Sequence, residues 1–201
     1  LGILTAAPAS AALVILSIPL ITTLFFYGAF QKADVLMTHN ALIAYSIGLI
    51  GLIQIKIIAP AFYAQQNVKT PVKIAIFTLF CTQFMNLIFI GIFQHAGLAL
   101  AIGLGACINA GLLFFFLQKS NLFKLDPNIF KFITKVLVSA SVMSAVLFYF
   151  KGSTEDWLNY SAASRVGNLL FLIFVGMVVY FLSLKCCGIK LTKFLKKNHN
   201  Y

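Results

Sequence analysis

Acidic side chains are scarce in this sequence of 201 residues, which has four of them against fifteen lysines and arginines. The four are Asp34, Asp126, Glu155 and Asp156, and only the last two are neighbours. Enzymes that act on lipid-linked phosphates or sugars need acids, bases or metal ligands close together near the membrane face. We therefore expect no catalytic site in this stretch of chain, and we interpret Glu155 and Asp156 as part of a solvated turn.

Known catalytic and metal-binding motifs are also missing. The sequence has no HExxH, no P-loop and no GxSxG motif, and the segment "GLGACI" follows no strand and lacks the third glycine of a dinucleotide site. The four cysteines form no CxxC pair, and the three histidines are isolated from one another. We predict no metal site and no cofactor, and we do not expect an enzyme.

Charge of either sign is rare. Charged residues make up 9% of the chain, whereas a soluble domain has about 25%. Hydrophobic residues make up 61% and the mean hydropathy is +0.99, which is more apolar surface than an aqueous fold of this size can bury. The net charge of +11 does not indicate a nucleic-acid partner, because the basic residues lie in short segments between apolar runs and form no basic face. The composition predicts a protein whose solvent is lipid.

Six continuous apolar runs are long enough to cross a bilayer, which takes about 20 helical residues. Continuous runs predict helices, because the strands of a membrane barrel alternate between apolar and polar residues. Pro8 and Pro19 predict kinks in the first run. The expected fold class is an all-α integral membrane protein with six transmembrane helices. The runs cover residues 1–26, 38–62, 71–93, 97–117, 129–150 and 165–187.

Basic residues are divided unequally between the two sets of connecting segments. Those after the first, third and fifth runs hold Lys32, Lys151 and Arg165, together with three of the four acids. Those after the second and fourth runs, with the C-terminal tail, hold eleven lysines. Because cytoplasmic loops carry the excess of lysine and arginine, we predict that the odd-numbered helices run outward and that the C-terminus is cytoplasmic. The eleven are Lys69, Lys73, Lys119, Lys124, Lys131, Lys135, Lys185, Lys190, Lys193, Lys196 and Lys197.

Lys56, in the segment "IQIKIIAP", is the one charge well inside an apolar run. It lies six residues before Phe62, or about 9 Å from the cytoplasmic end at 1.5 Å per residue. An intramembrane lysine usually faces a cavity or a partner, but a lysine stem also reaches that distance by snorkelling. Both interpretations stay open. If Lys56 faces a cavity, we expect Lys56 and Gln54 to line a hydrated substrate cavity that accepts anions.

Neutral polar residues and small residues mark the other candidate surfaces. Thr82, Asn86 and Asn109 lie inside apolar runs, where they either line the cavity or form hydrogen bonds between helices. In the fourth run, small residues repeat at one per helical turn, a pattern that lets another helix backbone approach closely. These small residues are Gly97, Ala101 and Gly105.

Four segments of the chain resemble one known family. They are "LFFYGAF" (24–30), "ALIAYSIGLIGLIQIKIIAPAFYAQQNVKTPVKIA" (41–75), "MNLIFIG" (85–91) and "HAGLALAIGLGACINAGLL" (95–113). In them the sequence resembles the MurJ (MviN) family of bacterial lipid II flippases, and the resemblance extends over nearly the whole chain. The block "FYA…KTPVKIA" is the most specific part, since general hydrophobicity would not produce it.

The resemblance implies a fourteen-helix protein of the multidrug/oligosaccharidyl-lipid/polysaccharide (MOP) exporter superfamily. Such a protein has two six-helix lobes around a cationic cavity and two additional C-terminal helices. Residues 1–117 would form four helices of the second lobe, 118–128 a cytoplasmic linker, 129–187 the additional pair and 188–201 a basic cytoplasmic tail. The chain opens inside an apolar run without an initiator methionine or a signal peptide, so we interpret it as a piece of a longer membrane protein, helices nine to fourteen.

The function implied is the movement of lipid II, a peptidoglycan precursor, from the cytoplasmic to the periplasmic leaflet of the bacterial inner membrane by alternating access. The additional helix pair would help to form a groove for the undecaprenyl tail. The partners would be lipid II, membrane lipids and the missing N-terminal lobe, which holds most of the family's known cavity charges. The alternatives are another exporter of the superfamily, for polysaccharide-lipids or drugs, a membrane enzyme of polyprenyl-phosphate metabolism, or a scaffold without transport.

Overall fold

The computed structural model of the chain describes residues 2–120 and 129–188. Most of the predicted linker (118–128) and nearly all of the predicted tail (188–201) lie outside the described residues. Within those two ranges every regular element is an α-helix, so the all-α prediction is confirmed. The helices are α1 (Gly2–Ile15), α2 (Ser17–Phe25), α3 (Lys32–Tyr63), α4 (Lys69–Phe93), α5 (His95–Lys119), α6 (Ile129–Phe150), α7 (Thr154–Asn159) and α8 (Ala162–Cys186).

Five of these helices, α3, α4, α5, α6 and α8, are long and apolar enough to cross a membrane. A sixth span is obtained if α1 and α2, which are bent by 69° relative to each other, are counted as one broken span. The chain is therefore a multi-pass membrane protein. The predicted ends agree within a few residues except at α3, which begins six residues before the predicted run because Gln31 and Asp34 form a capping box there.

The first span breaks at Leu16, and Pro19 accounts for the break. Proline has no N–H, so the Ile15 carbonyl loses its helical donor, and the Ser17 hydroxyl donates to the Val14 carbonyl at 2.8 Å. Ser17 Oγ also lies 2.6 Å from His39 Nδ1 on α3. Since the single Ser17 hydroxyl hydrogen is directed to Val14, His39 Nδ1 is the donor in that pair. The helix continues through the other proline of this span, which lies within α1.

The closest packing is between α3 and α5, where glycines face each other. A Cβ added to Gly48 would lie 2.0 Å from the Gly103 Cα, and one added to Gly51 would lie 2.6 Å from the Cys107 nitrogen. The two backbones are therefore in contact, as small residues permit between transmembrane helices. The predicted stripe of small residues on α5 also receives α4, since a Cβ on Gly105 would lie 2.0 Å from the Thr82 hydroxyl.

Two separate apolar clusters hold the helices together. One joins α3, α4 and α5 near their lysine-rich ends and includes Phe62 and Leu113, each 1% exposed. The other joins α1 and α2 to α6, α7 and α8 and includes Met143 and Leu172. Helix α1 also packs against α3, so it contacts the α3–α5 group as well as the helices of the second cluster. The broken first span thus connects the α3–α5 group to the α6–α8 hairpin.

The connecting segments rich in acidic residues lie at one end of the bundle. An ion pair between Lys32 and Glu155 links the start of α3 to α7, which places the first and fifth connections side by side. The predicted turn at Glu155 and Asp156 is in fact the short helix α7, capped by Ser153. The hydroxyl and the backbone N–H of Ser153 both donate to Asp156, which holds the pKa of that carboxyl below its usual value.

Candidate functional site

Three of the predicted polar residues, Thr82, Asn86 and Asn109, meet in one groove between α3, α4 and α5. This polar groove has a volume of about 440 Å³ and also receives Thr78 and Gln83. None of the described residues that line it is charged. The hydroxyl and amide groups make it the most polar surface among the three cavities formed by the described spans.

The groups of the polar groove are oriented by hydrogen bonds between helices and within α4, each of which uses one side-chain donor. Asn109 Nδ2 donates to Thr78 Oγ1 across α5 and α4 at 3.1 Å, and Asn86 Nδ2 donates to Gln83 Oε1 at 3.2 Å. The Thr82 hydroxyl donates to the Thr78 carbonyl. Asn86 Oδ1 is buried and has no partner among the residues that the structure describes. The groove therefore presents a free acceptor, which suits a ligand that carries hydroxyl or N–H donors.

Local sequence explains why these residues share a surface. Thr78, Thr82 and Asn86 follow one another at intervals of four on α4, so they lie on one face of that helix. Gly105 on α5 leaves the space that the Thr82 side chain occupies. Because there is no side chain at position 105, α4 can approach closely enough for Asn109 to reach Thr78.

The structure does not bring the two remaining candidates, Lys56 and Gln54, to one surface. Residues two apart on a helix point about 200° apart, and Gln54 faces α1 while Lys56 is exposed and lines none of the three cavities. Lys56 lies one helical turn beyond Leu52, which does line the polar groove. Lys56 is therefore placed at the Tyr63 end of α3, on the same side of the helix as that groove.

A second surface, the apolar groove, lies between α1, α6 and α8. Its volume is about 330 Å³, and nearly all of its lining is hydrocarbon or aromatic. The Tyr180 hydroxyl donates to the Leu4 carbonyl at 2.6 Å, so the main polar atom of the wall already has a partner. This groove suits an apolar chain. Its lining includes Pro8, Ala12, Met143, Gly176, Met177 and Phe181.

Arg165 is a structural residue that sequence reasoning missed, because it was counted only as one charge of a connecting segment. It is 6% exposed, and its terminal nitrogens donate to the carbonyls of Thr22 (3.3 Å), Phe26 (3.2 Å) and Leu158 (2.9 Å). Its guanidinium also lies over the Phe26 ring, 4.9 Å from the centroid. Carbonyls near the C-terminus of a helix lack helical donors, so Arg165 satisfies the end of α2 and fastens it to α8.

A signal for this role was present in the sequence. Arg165 is the single arginine among the fifteen basic residues. A planar guanidinium with five donors suits buried sites with several acceptors, whereas lysine serves equally well where only charge is needed. One arginine at the start of an apolar run, in a chain that otherwise uses lysine, therefore indicates a specific partner.

Comparison with known proteins places the chain in a family. A family profile described as "Lipid II flippase MurJ" matches residues 1–167. The protein named "Lipid II flippase MurJ" of Burkholderia cenocepacia is 40% identical over 196 residues, which cover 96% of this chain and 38% of that protein. The "Probable lipid II flippase MurJ" of Buchnera aphidicola subsp. Baizongia pistaciae is 40% identical over 186 residues, which cover 92% of this chain and 36% of that protein.

A solved structure has the same fold. The structure described as "Lipid II flippase MurJ, inward closed conformation" matches with a TM-score of 0.75 over 90% of this chain and 35% of that chain, at 24% identity. At that identity the likeness concerns the fold alone. The chain spans about 38% of the length of the curated relatives it matches. By its profile match and by its identity to these relatives, the chain belongs to the MurJ family.

Proposed function

We propose that this chain is part of a lipid II flippase that moves an undecaprenyl-pyrophosphate-linked disaccharide-peptide from the cytoplasmic to the periplasmic leaflet. The observation that carries the proposal is the presence of two grooves of opposite chemistry on one set of membrane spans. A molecule with a polar, hydrogen-bonding head and a long hydrocarbon tail needs both. The names of the relatives support the same substrate.

The polar groove suits the head group, which is the part of the substrate that is costly to move through a bilayer. A charged head group at the centre of a bilayer costs several kcal/mol or more unless polar groups and water replace its hydration. The free acceptor of Asn86 and the hydroxyls of Thr78 and Thr82 suit the sugar hydroxyls and peptide N–H groups of such a head group. Lys56, one turn beyond the groove wall, supplies a positive charge for the pyrophosphate as the head group enters from the cytoplasm.

The apolar groove suits the tail. It is lined by α1, α6 and α8, so two of the three helices that line it belong to the additional helix pair. A tail held there stays in contact with hydrocarbon while the head group moves through the polar groove. The polar groove lies on α3–α5, whereas α6 and α8 line much of the apolar groove. This separation supports the proposed domains, with residues 1–117 in the second lobe of a two-lobed transporter and 129–187 as an attached pair.

The proposed setting is the bacterial inner membrane with a cytoplasmic C-terminus. The described acids lie at the end of the bundle that carries α7, and most of the described lysines lie at the other end. This distribution supports a cytoplasmic location for the lysine-rich end. The proposed partners are lipid II, membrane lipids and the N-terminal lobe of the same protein.

Lys56→Ala in the whole protein tests the proposal. We expect it to impair growth of a strain depleted of its own flippase and to reduce the lipid II exposed on the outer leaflet, while Lys56→Arg restores both. Lys135→Ala, which removes an exposed lysine from α6, is the matched control and should have no effect. Normal growth and lipid II exposure in Lys56→Ala would favour the snorkelling interpretation instead.

The alternative functions differ in their effect on lipid II after depletion and in whether the purified protein converts a lipid to product. If the protein exports another lipid-linked sugar or a drug, depletion leaves lipid II on the outer leaflet unchanged. If it is an enzyme of polyprenyl-phosphate metabolism, the purified protein converts such a lipid to product. Measurement of lipid II in both leaflets after depletion, together with the turnover assay on purified protein, separates all three.

A further inference from the structure

Gln54 belongs to a third cavity that the proposed transport function does not use. This seam cavity lies where α1, α3, α5 and α6 meet, and it has a volume of about 330 Å³. It is distinct from both grooves, since none of its wall residues lines either of them. Apart from the Gln54 amide, the described residues of its walls are apolar. They include Ile3, Ile57, Leu117, Phe132 and Ile133.

The Gln54 amide is buried with a hydrogen-bond donor to spare. Its Nε2 atom has no partner among the described residues and has almost no accessible surface, either to solvent or to the cavity. Gly2 makes room for the amide, because a Cβ at that position would lie 2.9 Å from Gln54 Oε1. An unpaired donor in apolar surroundings is unfavourable, so a turn of the amide that brings Nε2 to an acceptor in this cavity would be favoured.

Positive charge surrounds the same end of the bundle. Lys119 and Lys131 are exposed at the end of the bundle where the seam cavity lies, on the helices that carry the wall residues Leu117 and Phe132. The acids of the described residues lie at the start of α3 and in α7, at the opposite end. Within the described ranges, therefore, the field near the seam cavity favours an anion.

The depth of Gln54 matches the border of the hydrocarbon. Helix α3 has 32 residues, so it is about 48 Å long and extends beyond a hydrocarbon core of about 30 Å. If α3 is centred in that core, Gln54 lies about 10 Å from the midplane, and its side chain reaches toward the ester layer of the inner leaflet. The exposed lysines at this end, Lys119 and Lys131, then lie near the level of the lipid phosphates.

We propose that the seam cavity holds an acyl chain of an anionic phospholipid of the inner leaflet. The Gln54 amide turns so that Nε2 donates to the ester carbonyl of this lipid, and the phosphate lies near the level of Lys119 and Lys131, whose flexible stems extend toward it. The lipid fills the junction between the α3–α5 group and α6. This site is independent of the proposed transport of lipid II, because it uses neither of the two grooves.

Lipid retention by the whole protein tests the site. The protein is reconstituted in nanodiscs of phosphatidylglycerol and phosphatidylethanolamine in equal amounts, released in mild detergent, and weighed by native mass spectrometry. We expect the wild type to retain phosphatidylglycerol in preference. Gln54→Leu, which removes the donor at nearly constant volume, should lower that retention about fivefold, as the loss of one hydrogen bond predicts. Ile133→Trp, which fills the cavity, should abolish it.

Matched variants separate the seam cavity from the rest of the surface. Gln83→Leu makes the same change in the polar groove, and Val138→Trp makes the same kind of enlargement on an exposed part of α6. Both should retain lipid like the wild type. Replacing Lys119 and Lys131 together by glutamine should remove the preference for phosphatidylglycerol while leaving some lipid bound.

Two results would overturn the proposal. One is wild-type retention in both Gln54→Leu and Ile133→Trp, and the other is equal retention of the two lipids by the wild type. The thermal midpoint of each variant in detergent establishes that it is folded, and Gln54→Leu decides the matter if the tryptophan variant does not fold. Since no transport is measured, a negative result here leaves the proposed function untouched.

Discussion

Replacing Arg165 by lysine keeps the positive charge and removes the planar guanidinium. In the structure the guanidinium donates to three carbonyls, two of them near the C-terminus of α2 and one at the end of α7. A lysine ammonium is a single point on a flexible stem and cannot reach all three at once. At least two carbonyls then lose their charged donor; the contact with Thr22 is fully buried, and those with Phe26 and Leu158 are partly buried.

The expected loss of stability follows from these contacts. Two hydrogen bonds at about 1 kcal/mol each and a cation–π contact with Phe26 of about 1 kcal/mol weaken the fold by roughly 3 kcal/mol in Arg165→Lys. Such a loss is a large fraction of the 5–15 kcal/mol that folded proteins typically have. Because Arg165 joins α2 to α8, we expect the end of the bundle near α7 to open first.

Equilibrium unfolding in detergent, followed by circular dichroism, measures the change. Lys151→Arg exchanges the same two residue types in the neighbouring connection and should change the free energy of unfolding by less than about 0.5 kcal/mol. If Arg165→Lys is as stable as the wild type, the guanidinium contacts do not hold α2 to α8. Arg165 would then act only through its charge, as the positive-inside rule treats it.

Two further changes test the packing and the cap. Gly48→Ala should destabilise the protein by about 1–3 kcal/mol, because its Cβ would overlap Gly103 on α5, whereas Gly111→Ala, with nothing within 4 Å of its Cβ, should be neutral in the same thermal unfolding assay. Ser153 holds the pKa of Asp156 below its ordinary value. The cap of α7 should therefore be complete above about pH 4 and should be lost as the pH falls through that lowered pKa. NMR shifts of α7 should report this loss, and Ser153→Ala should remove the pH-dependent change.

Helix number and approximate ends could be predicted because lipid imposes them. A span must be apolar for about 20 residues, so the predicted run 129–150 coincides with α6 and the predicted run 71–93 begins within two residues of α4. The errors lie where polar contacts extend or begin a helix. The capping box at Gln31 lengthened α3, and the one at Ser153 created α7, which the hydrophobicity of the sequence does not indicate.

The arrangement of the helices could not be predicted in the same way. Leu87 on α4 is 79% exposed and Leu113 on α5 is 1% exposed, yet the two look alike in a continuous apolar run. In water only the buried face of a helix needs to be apolar, whereas in lipid the exposed face is apolar as well. Polar residues were therefore the better guide: Thr82, Asn86 and Asn109 do share a groove, whereas two residues close in sequence, Lys56 and Gln54, do not.

The broken first span determines how the two groups of helices can move. The Ser10 hydroxyl donates to the Ser46 carbonyl at 2.6 Å in a buried contact, which fastens α1 to α3. Arg165 fastens α2 to α8, on the other side of the break at Leu16. Each half of the span also contacts the other group, since the Tyr180 hydroxyl of α8 donates to the Leu4 carbonyl of α1 and Ser17 of α2 pairs with His39 of α3. A movement of the α6–α8 hairpin against the α3–α5 group would then act on both halves of the span, and Leu16, where proline has already removed a helical hydrogen bond, is the point at which we expect the span to bend. The two proposed grooves, one in each group, would change their relative position through the same bend.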